Sequence, residues 1–123
     1  SARALVRSIV DPPLDLEFHE TDTFHQDWQS FDVAIRSQLA TEFNDCCQFL
    51  LYDTADFHSR VENIRPQLGA EVEASLYSLA IDRVRVLFTV DEDPVFERIT
   101  VTLLRVVDVS GFEQACAATI QAL

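Results

Sequence analysis

Three arginines hold the most chemically suggestive positions in this sequence. Arg83 and Arg85 stand two apart in Arg-Val-Arg-Val-Leu-Phe-Thr-Val, and Arg105 interrupts Ile-Thr-Val-Thr-Leu-Leu-Arg-Val-Val. Residues two apart on a strand share a face, so Arg83 and Arg85 point the same way. A guanidinium is planar, permanently charged and able to grip two oxygens of one phosphate or carboxylate. A hairpin register that sets Arg105 opposite Arg83 would gather all three into one cationic patch. Like charges directly opposite on a sheet are destabilising. That cost gives weight to a ligand for such a patch, either a phosphate or an acidic segment of a partner. The competing reading is pairing with some of the 21 Asp+Glu on a solvated face, where ion pairs are worth little.

Other candidates carry weaker patterns. His19, His25 and His58 have no metal-ligand spacing, so no metal site and no cofactor are expected. Glu17 with Glu20, or Asp91-Glu92-Asp93, offers hard oxygen ligands, but the second group reads as a solvated turn closed by Pro94. Cys46 and Cys47 are adjacent and Cys116 stands alone. With no Cys-x-x-Cys pattern, these read as buried thiols in a reducing cytoplasm. No Ser/His/Asp or Cys/His spacing suggests a nucleophile.

Every one of the nine Lys+Arg is an arginine, and the formal net charge is −12. Binding to nucleic acid draws most of its affinity from cations that displace counterions. This balance therefore argues against non-specific DNA or RNA binding and favours partners with basic surfaces. It also looks like adaptation to a salty cytoplasm. At 123 residues the chain fits one domain. No run of eighteen apolar residues predicts a membrane span, and no secretory pattern opens the chain. A cytoplasmic location is expected. Ser1 and Ala2 are set aside as a processing scar.

The elements that must position the arginines are legible from periodicity. Residues 1–13 read as an arm punctuated by Pro12-Pro13. Leu14 to Glu20 alternates, with Leu16 and Phe18 on one face and Asp15, Glu17 and His19 on the other. Thr21-Asp22-Thr23 supplies capping chemistry for a short helix on Phe24, Trp28 and Phe31. A longer helix follows on Ile35, Leu39, Phe43, Cys46 or Cys47, and Leu50. The short connection predicts an antiparallel helical hairpin. Residues 53–70 read as a short helix or loop and an irregular lead-in. A strand is expected from Val72 to Ile81, then a hairpin of Arg83–Val90 and Ile99–Val107. Ser110 and Glu113 predict a capping box for a terminal helix on Phe112, Cys116 and Ile120. The order is β-α-α-β-β-β-α in one domain, 14–123. The fold class is α+β: a twisted, mainly antiparallel sheet with the helical hairpin on one face.

That order, with certain local strings, resembles the RelE/ParE superfamily of bacterial and archaeal toxins. The strings are Leu16-Glu17-Phe18, Phe24 to Asp32, Ile35-Arg36-Ser37-Gln38-Leu39, Ile64 to Gly69, Leu76-Tyr77-Ser78-Leu79 and Arg83 to Asp91. The resemblance covers residues 14–109. It implies a small toxin of a toxin–antitoxin system, neutralised by a cognate antitoxin that wraps it. RelE-type members are mRNA interferases, which inhibit translation by cleaving messenger RNA in the ribosomal A site; ParE-type members inhibit DNA gyrase. By the same resemblance Arg85 takes the place of the phosphate-stabilising arginine; Arg83 and Arg105 join it as binding residues through the expected hairpin register. The chain departs from the pattern elsewhere. Ala80 stands where the family has an arginine, Asp108-Val109 replaces a basic pair, and neither Tyr nor His follows Tyr77. The expectation is thus a RelE/ParE-like toxin acting on mRNA at the ribosome. The alternatives are a catalytically silent interaction domain on the same fold that binds a basic protein, and a ParE-like gyrase inhibitor.

Overall fold

A computed structural model describes residues 15–64 and 75–122. The arm at 1–13, Leu14, the lead-in at 65–70 and the first residues of the strand expected from Val72 lie outside them. The elements are β1 (Asp15–Glu20), α1 (Asp22–Gln29), α2 (Val33–Tyr52), α3 (Thr54–Arg60) and β2 (Val61–Asn63). Then come β3 (Leu76–Ile81), β4 (Val84–Asp93), β5 (Arg98–Asp108), a 3₁₀ turn (Val109–Gly111) and α4 (Phe112–Ala122). The sheet order is β1-β5-β4-β3-β2, with only β1 and β5 parallel. The α+β class and the mainly antiparallel sheet match expectation. Strand β2 was not anticipated, because three residues hold too little pattern to read.

Each face of the sheet buries a different apolar set. On one face Leu39, Phe43, Cys47 and Leu50 of α2 and Phe57 of α3 meet Tyr77, Val86, Phe88, Val101 and Val106. Aromatic edges meet ring faces there: Phe43 and Phe88 at 5.0 Å between centroids, Phe57 and Tyr77 at 5.6 Å. Edge-to-face pairs add about 0.5–1.5 kcal/mol beyond area burial. The opposite face holds a smaller cluster of Ile64, Leu76, Leu87 and Ala115, with Leu104, Val107, Phe112 and Cys116 packed against it. Helix α4 covers this second face, so helices lie on both sides.

Caps explain where the helices begin. Thr21 accepts from Phe24 N–H, Asp32 from Ile35 N–H at 2.9 Å, and Asp53 from Asp56 N–H at 3.1 Å. Asp53 thus ends α2 and starts α3 in one residue. The expected helical hairpin needs correction, since α1 packs chiefly on β5 rather than along α2. Two further expectations change. Asp91, Glu92 and Asp93 continue β4, paired with Thr100, Ile99 and Arg98, and the turn is 94–97. Asp93 Oδ1 accepts from Val95 and Phe96 N–H, which fixes that turn past Pro94. At the end of β5 the cap is Asp108, which accepts from Ser110 N–H at 2.9 Å, while Ser110 itself lies in the 3₁₀ turn.

Candidate functional site

The register of β4 against β5 decides what the arginines can do together. Arg105 lies opposite Leu87, not Arg83, and Arg85 lies opposite Val107. The main cause is the turn, which falls at 94–97 rather than at 91–94 and so slides β5 along β4; a bulge adds one residue more, since Leu103 pairs with Phe88 and Arg105 with Leu87, leaving Leu104 extra. Bulges break the ladder locally and re-aim side chains. No periodicity argument could have located it, because both strands are apolar on either side of the bulge.

The bulge sits where β1 ends. Glu20 is the last β1 residue, opposite Leu103, and α1 then covers the edge of β5 in place of a strand. Thr21 N–H donates to Leu103 O at 3.1 Å, and Thr21 Oγ1–H to Leu104 O at 3.0 Å. Val106 N–H donates to Asp27 Oδ2 at 3.2 Å. Side chains of the loop and helix thereby satisfy backbone groups a neighbouring strand would otherwise pair.

Arg105 is held by the same carboxylate. Its Nε donates to Asp27 Oδ2 at 2.7 Å and its Nη2 to Oδ1 at 3.2 Å. This two-pronged pair is the strong geometry for guanidinium and carboxylate. Only 24% of the Arg105 side chain and 16% of the Asp27 side chain are exposed. The hydrogen bond to Asp27 pushes the Arg105 pKa up, against an opposing desolvation. Arg105 also lines a cleft of about 280 Å³ between α1, β5 and α4, with Thr21, Thr23 and Thr119. Asp27 is the residue that sequence reasoning missed; it was one acid among 21, on a helix whose apolar stripe drew attention elsewhere.

Arg83 and Arg85 lie at the β3–β4 turn. Asp82 takes a φ of 53° there, which Asp tolerates better than most residues. Arg85 folds back on this turn, donating from Nη1 to Asp82 O at 2.9 Å and Val84 O at 3.1 Å. Arg83 is exposed and meets Asp108 at 3.4 Å. Ser110 N–H and Arg83 together draw the Asp108 pKa down, the serine contact contributing most. Each arginine of the expected patch therefore already has an oxygen partner within the chain.

The remaining candidates are dispersed. His19 meets Glu17 at 3.4 Å and His25 meets Glu20 at 3.8 Å, all exposed. Among the described residues no group of three or more His, Cys, Asp or Glu converges as a metal site would require. Cys46 and Cys47 are buried and Cys116 is half-buried, all as free thiols. Burial raises all three pKa values, most strongly that of Cys47, which suppresses thiolate chemistry near neutral pH.

An apolar groove opens elsewhere, between β1, α1 and α2. It encloses about 250 Å³ and is lined by Phe18, Phe24, Trp28, Leu39, Phe43 and Leu103, with Glu20 at its margin. Trp28 stacks on Phe24 at 5.8 Å. No protein-family model matches this chain, and no curated protein matches it. Among the described residues no helix is long and apolar enough to cross a membrane.

Proposed function

We propose that this chain is a non-catalytic protein-interaction domain on a RelE/ParE-like scaffold, recognising a basic protein. The observation that carries this reading is the Asp27–Arg105 pair, with Arg85 turned onto its own backbone carbonyls. A phosphate approaching these groups must compete with oxygens already in place. A net charge of −12 favours a basic partner. Three free thiols support a reducing compartment, and cytoplasmic location belongs to the same reading.

The competing reading is a toxin with Arg85 as phosphate-binding residue and an antitoxin as partner. Inducing the chain in a permissive host separates the two. Normal growth is expected at expression verified by immunoblot. Growth arrest that disappears in Arg85→Ala would overturn the interaction-domain reading.

A further inference from the structure

Strand β1 is one edge of the sheet, and among the described residues it pairs only with β5. Asp15 N–H donates to Glu97 O at 2.8 Å and Thr21 N–H to Leu103 O at 3.1 Å. Backbone groups of residues two apart point to the same side of a strand. The odd-numbered residues of β1 thus turn their amides toward β5. Leu16, Phe18 and Glu20 direct theirs outward, where an added strand can pair with them.

The two faces beside this edge differ sharply. One carries Leu16 and Phe18 and leads into the apolar groove. Phe18 is 40% exposed although it packs edge-on against Phe43. The other carries Asp15, Glu17 and His19. Asp15 is exposed, and among the described residues Glu17 pairs with His19 at 3.4 Å and Arg98 at 3.3 Å, both solvent-exposed. Exposed pairs of that kind yield readily to competitors.

We propose that the β1 edge docks an extended segment of a basic partner protein, with apolar residues alternating with arginine or lysine. This rests on the interaction-domain reading and names its surface. An added strand alternates its side chains as β1 does. Its apolar set falls over the groove beside Phe18, and its basic set falls beside Asp15 and Glu17. Main-chain pairing with Leu16, Phe18 and Glu20 supplies affinity, and the two faces supply selectivity. The charge pattern selects this occupant over a second copy. Two β1 edges would set Asp15, Glu17 and Glu20 of one copy against those of the other, on bodies of charge −12 each.

The test uses the full chain and a capped heptapeptide, Arg-Leu-Arg-Val-Arg-Leu-Arg. Trp28, the one tryptophan, lines the groove and reports occupancy by its emission. The expected result is saturable binding with slowed amide exchange at Leu16, Phe18 and Glu20. Phe18→Ser and Asp15→Arg should each weaken it by at least about tenfold. A peptide with glutamate in place of arginine, or with alternate backbone nitrogens methylated, should not bind. Amide exchange of the free variants verifies that they remain folded. Equal binding of the glutamate peptide, unchanged exchange at the three amides, or no binding overturns the proposal. So does a Trp28 signal that follows protein concentration without peptide, which would mark self-association. Growth arrest relieved by Arg85→Ala sinks the underlying reading whatever the peptide does. Normal growth with peptide binding indifferent to Phe18 and Asp15 sinks only the site.

Discussion

Asp27 does three things with one carboxylate: it accepts Nε and Nη2 of Arg105 and the backbone N–H of Val106. Truncating it leaves a partly buried guanidinium and an orphaned amide. Asp27→Ala should cost about 2–3 kcal/mol of stability by chemical denaturation, and a loss under about 0.5 kcal/mol would show the pair to be ornamental. Thiol titration gives a second residue-scale prediction. Burial raises the Cys47 pKa above its ordinary 9.0. Above pH 9 the unfolded chain ionises this thiol while the folded chain keeps it protonated. Its contribution is full below pH 9 and declines as pH rises, and Cys47→Ala should flatten that alkaline decline. Pre-unfolding labelling should reach Cys116 before Cys47. The types and strand positions of Arg83, Arg85 and Arg105 were legible in the sequence. Their partners were not, because Asp27 is 78 positions from Arg105 and only the bulge aims one at the other.

At the scale of elements, the alternation of β1, the apolar stripe of α2 and the β-branched hairpin of β4 and β5 were readable because burial enforces their periods. The exchange of strand for helix along the edge of β5 was not, since it depends on backbone groups rather than side-chain pattern. Thr21 governs that exchange. It caps α1 through Phe24 N–H at 3.1 Å and donates to Leu104 O at 3.0 Å. Thr21→Ala should cost about 1–2 kcal/mol, whereas Thr21→Ser keeps both bonds and should stay within a few tenths. Equal losses in the two variants, measured by urea unfolding, would place the effect in the methyl group instead. The β4–β5 tip shows another limit of pattern reading. Asp91 and Glu92 looked like turn residues by composition, yet cross-strand pairing with Thr100 and Ile99 carries the strand past them.

For the whole molecule, charge is the governing term. With 21 Asp+Glu against nine arginines, self-repulsion opposes compaction and is relieved by salt. The screening length falls from about 10 Å at 0.1 M to about 3 Å at 1 M. Tm should therefore rise between about 0.1 M and about 2 M KCl, and a flat or falling Tm would count against a salt-adapted surface. The same charge shapes the functional reading, because Arg85 and Arg105 already bond to oxygens of this chain and a net charge of −12 disfavours phosphate. The decisive measurement maps messenger ends on ribosomes programmed with a defined message and given the purified chain. Intact message with no new 5′ ends is the predicted result. New ends in the ribosomal A site that vanish with Arg85→Ala would contradict it.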